Sequence, residues 1–209
     1  MATVIIALAI GYILGSIPSG VWLGKAFKGI DIRKHGSRSI GAANVFRVLG
    51  AKLAIVVLVL DMAKGFFACY LAFHLDLGDT ILISGQLAVI AGLAAILGHL
   101  FPIFAQFRGG KGVATLAGMF LFLTPLEIGF GMVVFILTLI ITRYVSLGSM
   151  LGTIFLSSSI LIERYYLGYP HGDELSGLAV LLVILVLFTH RANIRRLSMG
   201  TENKFGAKK

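Results

Sequence analysis

Apolar residues gather along this chain into long runs: Thr3 to Leu23, Leu53 to Phe73, Ile81 to Leu100, Val113 to Thr142, Leu147 to Ile162 and Leu175 to Thr189. A helix needs roughly 20 such residues to cross a bilayer, so the runs predict membrane spans. The fourth is too long for one ordinary span. Pro125 lies inside it and interrupts the backbone ladder, which predicts a short helix from Val113 to Thr124 and a second from Leu126 to Thr142. The short one can cross only where the bilayer thins or protein covers its ends. The pattern predicts an all-α, polytopic membrane helix bundle of seven transmembrane helices. Five full spans plus shorter or re-entrant segments satisfy it as well. Residues 1–209 read as a single membrane-embedded domain. Composition agrees, since 58% hydrophobic residues and a mean hydropathy of +0.97 exceed what one soluble interior holds.

Charge sets the orientation. Of 18 Lys and Arg, seven fall between Lys25 and Lys52, two are Arg108 and Lys111, and six lie from Arg191 onward. The acidic residues collect elsewhere, at Asp76 and Asp79 and at Asp173 and Glu174. Basic connections stay cytoplasmic, so the three cationic segments belong on one face. Counting the Pro125 run as two crossings puts all three inside, with the N-terminus outside and the C-terminus cytoplasmic. No Lys or Arg precedes the first apolar run, which predicts a retained span and not a cleaved signal peptide. Cys69 is the one cysteine, so no disulfide framework is expected. The five histidines show no metal-ligand spacing. Asp61 and Lys64, at i and i+3 within a span, read as a mutually neutralising structural pair.

The three cationic segments carry the candidate chemistry. In the first, HGSRSIGAANVFRVLG (residues 35 to 50), glycines and serines can supply backbone and hydroxyl donors while Arg38 and Arg47 supply charge, a combination that grips phosphate oxygens. Simple attraction to anionic headgroups needs lysines and not such closely spaced small residues. The second, GHLFPIFAQFRGGKGVAT (98 to 115), holds His99, Arg108 and the Gly109-Gly110-Lys111-Gly112 corner that feeds the next apolar run. An ATP-binding loop is excluded, because Ala105 and Gly112 stand where its first glycine and its hydroxyl residue belong. What survives is an anion cradle at a helix start, or a tight turn with a snorkelling lysine. The third, THRANIRRLSMGTENKFG (189 to 206), puts His190, Asn193 and Arg196 on one helical line. Taken alone it also fits a stop-transfer cluster.

On these motifs the chain resembles the bacterial membrane-integral acyl-phosphate:glycerol-3-phosphate acyltransferases, the PlsY family, along nearly its whole length. The family's first motif is similar to G-S-G-N-x-G-A-T-N-V-x-R, and Gly36 to Arg47 reads GSRSIGAANVFR, with Arg38, Ser39 and Ala43 departing from it. The second motif is nearly reproduced from Gly98 to Thr115, and the third, H-R-x-N-I-x-R-L-x-x-G-x-E, runs from His190 to Glu202. Lesser likenesses are LDMAKG (60 to 65), RYVSL (143 to 147) and GYP (168 to 170). The resemblance implies transfer of an acyl group from acyl phosphate to the 1-hydroxyl of sn-glycerol 3-phosphate, giving lysophosphatidic acid and phosphate. It implies catalytic roles for Ser37, Asn44, Arg47 and Lys111. Substrate binding is implied for Gly41, His99, Arg108, Gly109, Gly110, Gly112, His190, Arg191, Asn193, Arg196 and Glu202.

Acyl phosphate is an activated anhydride, so no cofactor, CoA or metal is expected. The partners expected are the two substrates and membrane lipids, with no nucleic acid and a monomeric state. The location implied is the bacterial inner membrane, with the site on its cytoplasmic face. His74 and Asp79 spell H-x-x-x-x-D, the motif of unrelated acyltransferases, but that connection lies on the acidic face and reads as an ordinary loop. A transporter or flippase for an organic phosphate or anionic lipid is the rival reading. It lacks the second discontinuous helix that such carriers pair with the first.

Overall fold

The structure is a computed structural model and describes residues 1–75, 77–169 and 172–206. Asp76, Pro170, His171 and Ala207 to Lys209, on which parts of the sequence reading fell, lie outside the described residues. The chain comprises two compact units, Met1–Leu123 and Thr124–Lys209. The division falls at the Pro125 break.

The first unit holds α1 (Ala2–Ser16), α2 (Ser19–Lys28), α3 (Ala42–Leu49), α4 (Ala51–Phe73), α5 (Ser84–Leu100) and α6 (Val113–Leu123). Short 3-10 turns at Ile32–Lys34 and Ile103–Ala105 lie in its connections. The first apolar run is broken at Ile17 and Pro18, because proline cannot donate to the ladder of the helix before it. Within the unit α1 packs on α5 and α4, and α6 packs on α4 and α5. Helices in lipid gain little from burying apolar surface against one another, so close backbone approach drives their packing. A Cβ at Gly15 would overlap the Ala95 carbonyl, so α1 and α5 touch backbone to backbone there.

The second unit holds α7 (Pro125–Thr142), α8 (Val145–Tyr165), α9 (Asp173–Thr189) and α10 (Arg191–Ser198). Pro125 opens α7 at its first turn, where the missing N–H costs nothing. In α7 only Ile128 and Gly131 are buried, while Leu126, Phe130, Val133, Leu137 and Ile141 are exposed, a surface suited to lipid.

Among the described residues, five stretches are long and apolar enough to cross a membrane: Ala2–Lys28, Ala51–Phe73, Ser84–Ala105, Pro125–Thr142 and Val145–Tyr165. A sixth arises if α9 and α10, which meet at 60°, form one broken span. The remaining apolar helix, Val113–Leu123, is short, as Pro125 predicts.

Candidate active site

The first cationic segment folds around Asn44. This side chain is 1% exposed and sits in the first turn of α3, whose N-cap is Gly41. Its Oδ1 accepts from the Ser37 backbone N–H at 2.8 Å, and its Nδ2 donates to the carbonyls of Ile32 (3.3 Å), His35 (3.1 Å) and Ser39 (2.8 Å). Asn44 was expected beside the reacting groups. In the structure its amide faces inward and clasps the loop that carries Ser37. The exposed side chains of this segment are His35, Ser37, Arg38 and Arg47. Arg38 adopts φ 61°, a left-handed backbone that explains why the motif it departs from has glycine at this place.

The second segment lies directly over the end of α5. The Gly110 N–H donates to the His99 carbonyl at 3.0 Å. A Cβ on Gly109 would strike the His99 and Leu100 carbonyls, and one on Gly110 would strike the His99 ring. The double glycine is therefore what lets the loop sit on the helix. Gly112 has φ 81°, and its carbonyl accepts from the Leu116 N–H at 2.8 Å, so it opens α6 in a conformation that glycine adopts freely. Lys111 is half-buried immediately before that helix start, and Arg108 is exposed. His99 is 2% exposed, beneath the corner and not at its surface.

One side chain that sequence reasoning missed joins these two segments. Arg33 pairs with Asp31 at 2.7 Å and donates through Nη1 to the Ala105 carbonyl at 2.8 Å. The Arg33 guanidinium beside Asp31 holds its carboxyl down at about 2. The D-x-R spacing was the available signal, and it shows the pair but not its long-range partner.

The third segment belongs to the second unit. His190, buried at the joint between α9 and α10, has Nδ1 2.8 Å from the Val186 carbonyl, an acceptor, so that nitrogen carries the proton. Asn193 donates to Glu202 Oε1 at 2.7 Å, Arg196 to Oε2 at 2.7 Å, and Ser146 of α8 to Oε1 at 2.9 Å. Burial alone would raise the Glu202 carboxyl, but these three donors outweigh it and hold the group below its ordinary value. Glu202 was expected to bind substrate. In the structure its carboxylate accepts from Asn193, Arg196 and Ser146, all of its own unit. Arg191 folds back over the Phe188 ring at 4.5 Å and donates to the Phe188 carbonyl at 3.1 Å. Arg143 donates to the Phe205 carbonyl at 3.0 Å and accepts from its N–H at 2.6 Å, which fastens the tail to the turn before α8. Arg143 and Ser146 were noted in sequence only as a lesser likeness.

The His74–Asp79 decoy resolves as structure: Asp79 accepts from the Ala2 and Thr3 backbone N–H groups at the start of α1, and His74 packs against Tyr70. Among the described residues no cluster of three or more His, Cys, Asp or Glu could hold a metal.

A profile of the glycerol-3-phosphate acyltransferases matches residues 5–200. The chain belongs to the glycerol-3-phosphate acyltransferase family. A glycerol-3-phosphate acyltransferase of Fusobacterium nucleatum is 45% identical over 201 residues, covering 95% of this chain and 96% of the relative. One from Bacillus subtilis is 43% identical over 199 residues, covering 94% and 95%. Of solved structures, the crystal structure of PlsY, an integral membrane glycerol 3-phosphate acyltransferase, in its glycerol 3-phosphate form superposes with a TM-score of 0.85 at 36% identity, covering 97% of this chain and 96% of that one. Its lysophosphatidic acid form gives 0.82 at 34%. The family match extends into both units and contains the first two cationic segments and the third as far as Gly200.

Proposed function

We propose that this protein transfers a fatty acyl group from acyl phosphate to the 1-hydroxyl of sn-glycerol 3-phosphate, releasing lysophosphatidic acid and inorganic phosphate. The observation that carries the reading is the junction of the first two segments. Arg33 binds the Ala105 carbonyl and so ties the loop presenting Ser37 and Arg47 to the corner presenting Lys111. Two phosphate-bearing reactants need fixed donors and cations, which act by orientation and by stabilising charge that develops on the attacked carbonyl. Ser37, Arg47 and Lys111 are the residues proposed to touch the reacting groups, with the backbone of Gly109, Gly110 and Gly112 and the Arg108 side chain binding phosphate. Asn44 and Gly41 shape the first loop. His190, Arg191, Asn193 and Arg196 are proposed to bind glycerol 3-phosphate, with Glu202 orienting them.

The hydroxyl proton passes to the donor's own phosphate, which leaves as inorganic phosphate, so neither a cofactor nor a metal is needed. The acyl tail is proposed to lie in a cavity of about 380 Å³ in the first unit, lined by Leu14, Trp22, Leu60, Ala63 and Phe67 among others. That size is in the range of small-molecule sites. The proposed setting is a monomer in the bacterial inner membrane that crosses it seven times, with the N-terminus outside and the C-terminus and site cytoplasmic.

The test is direct. Purified protein given acyl phosphate and glycerol 3-phosphate must release phosphate and lysophosphatidic acid in equal amounts, and Lys111→Met must abolish this in folded protein. A carrier would move solute across a vesicle and form no product. Near-normal turnover by Lys111→Met would remove the assignment.

A further inference from the structure

Beneath the Lys111 corner lies a buried polar chain to which the proposed reaction gives no chemical role, although Lys64 and Ile17 also line the cavity proposed for the acyl tail. Asp61 and Lys64 of α4 pair at 2.9 Å with side chains 2% and 4% exposed. Lys64 also donates to the Ile17 carbonyl at 3.0 Å, at the break between α1 and α2. On the other side, Asp61 Oδ1 is 3.9 Å from His99 Nδ1, a buried nitrogen with no hydrogen-bond partner. The opposite edge of the His99 ring lies against Gly110, so closely that no Cβ fits between them. Two charges and an imidazole are costly to bury among spans, and polar groups retained there are functional candidates by default. Two apolar residues of similar volume would hold α4 equally well, so packing alone does not account for them.

We infer that Asp61, held by Lys64, is a positioning residue for Lys111, acting through the His99 ring and the double glycine that rests on it. The inference rests on the role proposed for Lys111. Asp61 attracts the imidazole edge, the ring fixes the height of the Gly109–Gly110 backbone, and that backbone sets where Lys111 leaves the corner. Lys64 anchors the chain to Ile17 and keeps Asp61 from being an unpaired charge.

The experiment uses Asp61→Asn/Lys64→Met in the full chain, because removing one partner alone strands a buried charge. Steady-state kinetics and hydrogen–deuterium exchange over residues 107–113 are read on folded protein. The expected result is a kcat about 100-fold lower, the scale of a 1 Å misplacement, with the glycerol 3-phosphate KM within about twofold and faster exchange at the corner. His99→Gln, which leaves the ion pair intact, must produce the same two changes, and it decides the matter should the double variant not fold. Wild-type kcat or wild-type exchange in the folded variants overturns the inference. The exchange readout does not depend on turnover, so a wild-type protein inactive with acyl phosphate would reject the proposed reaction and leave this test standing.

Discussion

Replacing Asn44 by Asp separates a positioning role from a chemical one. The carboxylate keeps the acceptor for the Ser37 N–H but loses both N–H donors and points an oxygen at the carbonyls of Ile32, His35 and Ser39. Two hydrogen bonds lost at about 1 kcal/mol each give about 2 kcal/mol. The His35 and Ser39 carbonyls lie near the surface and can turn to water, whereas Ile32 is fully buried. That buried carbonyl still accepts from the His35 N–H at 3.1 Å, so it is not stranded and adds no further cost. A loss of about 2 kcal/mol is enough to raise the opening of a loop that has no regular secondary structure of its own from His35 to Gly41.

Each 1.4 kcal/mol is a factor of ten in population, so the open loop rises by about 30-fold. Arg33, Lys34 and Arg38 are trypsin sites in or beside the loop. Limited trypsinolysis in detergent should therefore nick Asn44→Asp there far faster than the parent, with turnover lost in parallel. An Asn44→Asp protein that resists trypsin like the parent and unfolds at the parent's temperature, yet does not turn over, would refute the clasp and return Asn44 to the reacting groups.

Four further outcomes follow from the same geometry. Arg38→Gly should stabilise the protein by about 0.5–1 kcal/mol, because the left-handed backbone costs an L residue about 1–2 kcal/mol and glycine returns about 0.5–1 of that in entropy; thermal unfolding reads it. Glu202 has its folded value lowered, so its contribution is present above the unfolded value near 4.5 and is lost as pH falls through the lower folded one; Glu202→Gln should flatten the acid limb of a stability-against-pH curve. The same variant should raise the glycerol 3-phosphate KM more than it lowers kcat, since glutamine offers one acceptor oxygen where Asn193 and Arg196 each hold their own. Ala63→Phe, which fills the apolar cavity, should cut kcat/KM about tenfold for long-chain donors and leave short ones unaffected, read by kinetics with donors of graded length.

The spans were legible because membrane thickness dictates run length, and the Pro125 break was legible because proline acts locally on its own ladder. The break at Ile17 and Pro18 went unread in the first run, although the same proline rule applied to it. Helix α3 was missed for a different reason: Ala42 to Leu49 carries Asn44 and Arg47 among apolar residues, and glycines bracket it. Of the site, the donor-rich segments were visible as clusters, but the bonds inside them were not. Ser146 and Glu202 are 56 positions apart, Arg33 and Ala105 are 72 apart, and no spacing rule spans such distances. Gly109 and Gly110 were visible as glycines, while the reason for them, a buried His99 ring underneath, is purely tertiary.

Carboxylates near an anion site look misplaced in sequence, and the structure resolves the conflict the same way three times. Asp31 is bound to Arg33, Asp61 to Lys64, and Glu202 to Arg196 and Asn193. Each lies at least largely inside the fold, so its charge is directed at a neighbouring donor and not at solvent where a phosphate would approach. A cation on a flexible stem loses rotamer entropy when it must meet a ligand, and a carboxylate that already holds its base removes part of that cost before binding. Positive charge can then be dense at the surface while acidic groups behind it fix where each donor points. On this logic Asp31 and Glu202, whose partners are less deeply buried than Lys64, should tolerate exchange for a neutral hydrogen-bond acceptor in folding, yet lose the alignment on which turnover depends.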